Sequence, residues 1–311
     1  MFLAMFHAML YNIARISQEG EIAMLTKEEF HSRIQSGLRY LDGATGSNLM
    51  KAGMPRGCCT EEWLLANPEA LVTLQRGYAQ AGSQVLFAPT FQAQPIALER
   101  VNLHRQTESI NAQLVALSRS AAPECLIAGN LTTLAAYTDS WDPEKFDLLV
   151  DNYRRQIQGL IDGGADLLAA ETLLYPQEAE AIFTAAELEG AGAVLYTFTM
   201  QSDGSLFSGR DAGPVLKELE ETGAAAVGFN CVAADLLTPG LVAKLRRYVK
   251  GPLVCKPNAG VPIIGESGIP EYSLDPQGFS EIITQCSASG ATILGGCCGT
   301  DPSYIAAITQ I

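Results

Sequence analysis

Two stretches of this chain carry thiols in a setting suited to a metal. Cys297 and Cys298 are adjacent in Leu294-Gly295-Gly296-Cys297-Cys298-Gly299-Thr300, and Cys231 closes Gly228-Phe229-Asn230-Cys231. Adjacent cysteines rarely bridge each other, because that ring is strained. The flanking glycines let the chain turn so that both sulfurs face one ion. With Cys231 they make three sulfur ligands, which leaves the fourth position of a tetrahedral zinc open for substrate. Thiolates favour zinc over hard ions such as magnesium. A thiol entering that position gives up its proton, because the cation stabilises the thiolate. The result is a soft nucleophile that attacks carbon, including a methyl group on a good leaving group, without a histidine base. A water-activating hydrolase is the weaker reading, since it needs a general base beside an already electron-rich metal. The bland alternative is packing thiols, and Cys125, Cys255 and Cys286 are read that way. Cys58-Cys59 follows Arg56-Gly57 in a loop and is assigned no metal.

Two acidic residues stand out beside the thiols. Glu171 ends the apolar run Gly164-Ala165-Asp166-Leu167-Leu168-Ala169-Ala170-Glu171 and precedes Thr172. A carboxylate there can hold a substrate ammonium; a cap or a salt bridge is the competing use. Asp42 precedes Gly43-Ala44-Thr45-Gly46, whose small residues expose backbone N–H groups able to receive a carboxylate. Phosphate is the poorer ligand for this loop, since no Gly-Lys-Ser/Thr follows. The three histidines, His7, His31 and His104, lie in no glycine-rich or Asn/Asp-rich stretch. That counts against a Ser–His–Asp triad and against a histidine zinc site.

The elements that must position these groups repeat along the chain. A Gly precedes a small or polar residue, then a short apolar run, then a polar or reactive residue. The pattern occurs at 82–90, 164–171, 192–199, 223–231 and 290–298. Such runs, with little polar alternation, suit strands buried on both faces of a parallel sheet. The runs 38–42, 125–130 and 252–256 bring the total to eight candidate strands. Helical segments separate them. Gln177–Glu189 follows Pro176 and stops at Gly190, and 143–160 and 211–222 have comparable character. Asp301-Pro302 is suited to cap a last helix, Ser303–Ile311. Eight strand–helix units in ~270 residues predict an α/β fold, a (β/α)8 TIM barrel in a single domain. A doubly wound sheet is the runner-up, but the dinucleotide glycine fingerprint is missing after the first strand. The barrel is placed at 31–311, after an N-terminal extension and lead-in helix at 1–30. In a barrel the C-terminal strand ends converge on one face. Asp42, Thr90, Asn130, Glu171, Thr199, Cys231, Lys256 with nearby Asn258, and Cys297 with Cys298 then meet there.

Composition narrows the function further. The 311 residues are 48% hydrophobic and 17% charged, as in a compact core. The formal charge of −14, from 20 basic and 34 acidic residues, repels phosphate backbones and anionic lipid. No nucleic-acid or membrane partner is expected. The eight cysteines sit in a chain large enough to be stable without disulfides, which points to reduced thiols and a cytoplasmic location. Met1–Leu10 is apolar but too short to span a bilayer, and no basic residue precedes it. A loosely docked helix, or an over-extended start with Met24 as the initiator, suits it better than a secretory signal.

The residues together resemble the homocysteine S-methyltransferase family, which includes betaine–homocysteine methyltransferase and the homocysteine domain of cobalamin-dependent methionine synthase. The matching segments are Leu41-Asp42-Gly43-Ala44-Thr45-Gly46, Pro89-Thr90-Phe91, Glu171-Thr172, Gly228-Phe229-Asn230-Cys231, Lys256-Pro257-Asn258-Ala259-Gly260 and Gly295-Gly296-Cys297-Cys298-Gly299-Thr300. The double cysteine combined with the distant Asn-Cys is the most specific of them. The resemblance implies a (β/α)8 barrel with zinc on Cys231, Cys297 and Cys298, and homocysteine bound through its sulfur. By the same analogy Glu171 holds the amino group, and Asp42 and Gly43 lie in the loop that receives the carboxylate. Asn258, in the barrel mouth, joins the substrate contacts. The methyl group is then taken by in-line displacement, giving methionine. Two departures stand at the mouth: many relatives near methionine synthase have Asn where Pro89 stands and Ala where Pro257 stands. The donor is therefore left open between a corrinoid protein, betaine and S-methylmethionine. The chain has no room for a fused cobalamin domain, so a corrinoid has to arrive on a separate protein. Asp42-Gly43-Ala44 and the loop from Gly57 to Trp63 lean towards that branch. The alternative of another class is a non-catalytic zinc- or thiol-binding protein on a degenerate barrel.

Overall fold

The apolar runs become parallel strands, and the stretches between them become helices. The computed structural model describes residues 24–264 and 270–311. The apolar segment Met1–Leu10 lies outside the described residues. The first part of the chain holds α1 (Lys27–Gln35), α2 (Gly46–Lys51), α3 (Thr60–Ala66), α4 (Pro68–Gln80), β1 (Val85–Phe87), α5 (Pro95–Leu98), α6 (Thr107–Ala121) and β2 (Leu126–Thr132). Next come α7 (Phe146–Asp162), β3 (Leu167–Leu173), α8 (Pro176–Glu189), β4 (Val194–Phe198), α9 (Ala212–Thr222) and β5 (Ala226–Ala233). The chain continues through α10 (Pro239–Arg246), β6 (Leu253–Asn258), the hairpin β7 (Pro262–Ile264) and β8 (Pro270–Tyr272), α11 (Pro276–Ala288), β9 (Ile293–Leu294) and α12 (Pro302–Ile308).

Seven strands form one curled parallel sheet in the order β1-β2-β3-β4-β5-β6-β9. Each sits beside the next in sequence, except that β6 pairs with β9 across the separate β7–β8 hairpin, and helices cover the outside. Side chains alternate between two layers, as a period-two strand requires. Phe87, Ala128, Leu167, Ala169 and Val254 point inwards with Val85 and Ile293. Leu86, Ile127, Leu168 and Tyr196 point outwards and pack with Tyr153, Ile157 and Ile182. Burial on both faces explains why these runs lack polar alternation.

The first expected strand, 38–42, is reduced to two bridging residues. Tyr40 pairs in parallel with Leu294, and Leu41 pairs in parallel with Val85. The Leu41 N–H donates to Leu294 O at 2.8 Å, and the Gln84 N–H donates to Tyr40 O at 2.8 Å. This short piece therefore contacts both the last and the first strand of the sheet. It ends early because the Asp42 side chain takes over as acceptor, receiving the Phe87 N–H at 2.8 Å. A carboxylate has replaced a main-chain rung.

The last strand is also shorter than the 290–298 run suggested. Cys297 and Cys298 lie in the loop beyond β9. That loop stays bonded on both sides. Gly295 and Cys297 donate to Cys255 O and Pro257 O, Ala259 donates to Cys298 O, and Gly296 donates to Asp42 O, all within 2.7–3.0 Å. Glycine is required at 296, where a Cβ would lie 2.4 Å from Thr300 Oγ1.

The helix signals hold with small shifts at their ends. Gly190 stops α8 in the left-handed region at φ 66°. Asp211 caps α9 through the Gly213 N–H, and Asp301 caps α12 through the Ser303 N–H. The stretch from Pro143 opens as a 3-10 turn, Pro143–Lys145, before α7 begins. The lead-in helix α1 closes the N-terminal end of the sheet. Leu25 bonds to Asp166 O and receives the Ala193 N–H, and Phe30 is fully buried in the inner layer. Residue 30 thus sits inside a helix that belongs to the core, and the opposite end of the sheet is left for the site. Among the described residues no helix is long and apolar enough to cross a membrane.

Candidate metal centre and substrate pocket

Two backbone irregularities bring the sulfurs together. The β3–β4 register shifts between Ala170 and Leu173, and the β5–β6 register shifts between Asn230 and Ala233. Each shift carries a non-glycine residue at positive φ, Thr172 at 60° and Cys231 at 56°. Such residues cost ~1–3 kcal/mol each and persist only where their surroundings over-determine them. Asn230 does that here. Its Oδ1 accepts the Thr172 N–H at 2.8 Å and the Thr197 hydroxyl at 2.9 Å. Its Nδ2 donates to Thr172 Oγ1 at 2.7 Å, to Glu171 Oε2 at 3.3 Å and to Cys297 Sγ at 3.7 Å. This fully buried carboxamide pins the Thr172 bulge and anchors β5 at the residue before Cys231, where the second bulge begins.

The Sγ atoms of Cys231, Cys297 and Cys298 all lie within 4.8 Å of one another. Tetrahedral zinc with bonds near 2.3 Å needs sulfurs about 3.8 Å apart. Three thiolates this close repel one another, and a divalent cation is the counter-charge such a donor set calls for. The donors therefore fit zinc. Hydrogen bonding from Cys297 and Cys298 pushes the Cys231 thiol far up, and bonds from Cys231 and Cys297 pull Cys298 down to about 3. No other group of three or more His, Cys, Asp or Glu side chains is gathered this way among the described residues. Cys58 is exposed and Cys59 half-buried, while Cys125, Cys255 and Cys286 are buried in the packing.

The trio forms one wall of a cavity of about 360 Å³. The loop 43–47, Thr60, Glu61, Phe87, Pro89, Phe91, Gln92, Asn130, Glu171, Thr172 and Lys256 complete it. Of the residues read from sequence, Gly43, Glu171 and the three cysteines line this cavity, whereas Asp42 and Asn258 do not. The Asp42 carboxylate is buried one layer below, bonded to the Phe87 N–H with its Oδ1 3.7 Å from Lys256 Nζ. Asn258 is buried between the Pro257 and Ala259 bonds to the cysteine loop, and its Oδ1 has no hydrogen-bond partner among the described residues. Gly43 is hemmed in; a Cβ there would lie 2.7 Å from both Thr300 Oγ1 and Tyr78 Oη.

Lys256 dominates the electrostatics of the floor. Its Nζ lies 3.4 Å from Glu171 Oε2 and 3.7 Å from Asp42 Oδ1, and 4.8 Å from the Phe87 ring centroid. Burial pulls this ammonium down, but Glu171, Asp42 and Cys297 outweigh it and hold it above its ordinary range. Burial pushes Asp42 up to about 7, against the pull of Lys256 and the Phe87 N–H. Burial likewise raises Glu171, opposed by Lys256 and by the Asn130 amide.

Glu61 was not singled out by the sequence. It is buried, its Oε1 accepts the Gln92 N–H at 2.8 Å, and its Oε2 accepts the Cys59 thiol at 3.4 Å. An acidic pair at a helix start, Glu61-Glu62, reads as a solvated first turn; only the folded loop buries one of them. Strand position puts Lys256 at the mouth but gives it no role. Behind the wall, Gln156 donates to Thr90 O at 2.6 Å and Gln75 to Phe87 O at 3.1 Å, which pins the segment around Phe87–Phe91.

A family model described as homocysteine S-methyltransferase matches residues 40–311. The chain is 27% identical over 285 residues to a methionine synthase of Mycobacterium tuberculosis, covering 85% of this chain and 24% of that protein. It is 28% identical over 291 residues to a homocysteine S-methyltransferase of Escherichia coli, covering 86% of this chain and 93% of that protein. The chain spans about a quarter of the methionine synthases it matches. The structure superposes on the metallated form of the homocysteine methyltransferase MmuM of Escherichia coli with a TM-score of 0.75, at 25% identity, covering 90% of this chain and 99% of that one. The oxidized form of the same protein gives 0.74 at 26% identity. The match begins at Tyr40, where the sheet begins, and runs through the whole cavity and its sulfurs, so the chain belongs to the homocysteine S-methyltransferase family.

Proposed function

We propose that this enzyme moves a methyl group to the thiol of homocysteine, giving methionine, with zinc held by Cys231, Cys297 and Cys298. The observation that carries the reading is the trio of Sγ atoms within 4.8 Å on the wall of a cavity that also holds Glu171. A zinc ion there supplies the positive charge that lowers the proton affinity of the substrate thiol. The chain's own residues do the rest. Glu171 receives the α-ammonium, and the backbone N–H groups of the loop from Gly43 receive the carboxylate. Asp42 and Asn258 act from behind the wall, Asp42 by fixing Phe87. Phe87 and Phe91 exclude water from the reacting sulfur. The S–CH3 bond forms as the donor–CH3 bond breaks in line with it, and alignment of the two reactants supplies much of the rate. We read the fold as a closed single-domain (β/α)8 barrel in which Tyr40 and Leu41 are the eighth stave. The free cysteines suit a reducing compartment, and we assign the enzyme to the cytoplasm.

The donor is a corrinoid carried by a separate protein, betaine or S-methylmethionine. Zinc-loaded protein incubated with homocysteine and each donor in turn, with methionine as the readout, separates them. One donor is expected to give methionine in proportion to the enzyme added. Zinc-loaded protein that binds homocysteine yet forms no methionine from any of them is instead a thiol-binding protein.

A further inference from the structure

Lys256 is a buried cation inside the cavity, and the transfer chemistry leaves it without a task. Its surroundings define one. The side chain is 4% exposed, and its ammonium is held on three sides, by Glu171 Oε2, by Asp42 Oδ1 and by the face of Phe87. Glu171 Oε2 takes its one hydrogen bond, and Asp42 Oδ1 and the Phe87 ring are charge contacts at 3.7 and 4.8 Å. Lys256 therefore acts through its partners. Asp42 Oδ1 has no hydrogen-bond partner, which leaves Lys256 as its counter-charge. Glu171 is different. Asn130 donates to its Oε1 at 2.9 Å, and Asn230 and Lys256 donate to its Oε2 at 3.3 and 3.4 Å. A carboxylate offers about four lone-pair sites. Three are filled, and the remaining one is on Oε1, on a side chain that faces the cavity.

We infer that Lys256 is a positioning residue which, clamped between Asp42 and Glu171, aims the free face of Glu171 at the ammonium of the substrate and so reads that amino group at second hand. This rests on the proposed binding of homocysteine. Without the clamp, two buried carboxylates lose their shared counter-charge, and a buried carboxylate without one does not stay charged and oriented. Without a charged partner the ammonium is held less tightly. At the thiol end Lys256 makes no hydrogen bond to the cysteines and reaches Cys297 only through its charge.

The test compares two thiols by calorimetry on zinc-loaded protein: L-homocysteine, and 4-mercaptobutanoate, which has the same chain and carboxylate but no amino group. The wild-type protein is expected to prefer homocysteine. Lys256→Met is expected to weaken homocysteine by roughly 10-fold or more, the worth of one hydrogen bond to a charged group. It should leave 4-mercaptobutanoate within about 2-fold and zinc content unchanged, since no hydrogen bond to the thiol end is lost. If that variant does not fold, Lys256→Gln, which keeps a donor but no charge, is read the same way. Equal weakening of both thiols, loss of zinc, or an unchanged preference for homocysteine overturns the inference. Failure of the wild-type protein to bind homocysteine at all overturns the proposed function instead.

Discussion

The chain contains two cysteine doublets, and among the described residues only one is gathered with a third thiol. Cys58-Cys59 and Cys297-Cys298 both follow a glycine, and neither has a histidine nearby. Cys58 lies on an exposed loop with its thiol bonded to Pro55 O at 3.0 Å, and Cys59 hands its thiol to Glu61. Cys297-Cys298 instead lies in a loop bonded to β6 on one side and to Asp42 on the other. Across from it Cys231 is turned by a bulge that Asn230 holds. A doublet of thiols is therefore not a site in itself. The site comes from backbone pairing that brings a third sulfur from 66 residues away, as numbered in the sequence, to within 4.8 Å.

The largest effect is expected where this comparison is sharpest. Cys298→Ala should bring zinc content from close to one equivalent to near zero and methionine formation below detection, while Cys58→Ser leaves both within about 2-fold. Metal analysis and turnover on the two variants side by side check this. Equal losses would erase the distinction between the doublets.

The next test strikes the device that turns Cys231. Asn230→Ala strips the partners from the strained Thr172 and loosens β5 at the residue before the strained Cys231. It should lower thermodynamic stability by about 2–4 kcal/mol, and zinc affinity by about 10- to 100-fold, as loss of an orienting neighbour does. Chemical denaturation and competition with a chelator measure the two quantities. Stability that falls with zinc affinity intact would mean that the bulge holds the fold but not the ligand.

Much of this arrangement was legible before the fold, and the reason differs from part to part. The strands were readable because burial on both faces leaves unbroken apolar runs such as Leu167–Ala170. The sulfurs were readable because strand ends of a parallel barrel converge on one face, so order along the chain implied nearness in space. The short first strand was not readable, because Asp42 replaces a rung with its side chain and a run of apolar letters does not show that. Lys256 and Glu61 were not assigned because their partners lie far along the chain. Lys256 meets Glu171 85 residues away, and Glu61 meets Gln92 31 residues away. No local periodicity encodes either pairing. Strand position, the small-residue loop after Asp42 and the family resemblance put Asp42 and Asn258 at the mouth, whereas the fold sets both side chains behind its wall.

Glu61 links the outer doublet to the cavity wall, since Cys59 donates to it and it lines the cavity. Glu61→Ala leaves the Gln92 N–H unpaired and should cost about 1–3 kcal/mol of stability. Zinc content should stay unchanged, which thermal melts and metal analysis on one sample establish. Zinc loss on this substitution would show that the outer doublet supports the inner one after all.

The smallest effect is a slope. Asp42 holds its proton up to about pH 7 in the fold, against 3.8 unfolded. A folded value above the unfolded one gives stability that is full below 3.8 and is lost as pH rises through about 7. Asp42→Asn should therefore flatten the fall of stability between pH 4 and pH 7. Denaturation midpoints across that range, matched against the wild-type protein, test it. An unchanged slope assigns the pH dependence to Glu171 and Glu61, which burial also raises.

X-ray absorption at the zinc edge bears most directly on the claim that three sulfurs leave one place for the substrate. Zinc-loaded protein is expected to show three sulfur neighbours and one lighter atom near 2.0–2.3 Å, and four sulfurs once homocysteine is added. A spectrum that homocysteine leaves unchanged, or a first shell with fewer than three sulfurs before it is added, would contradict the account.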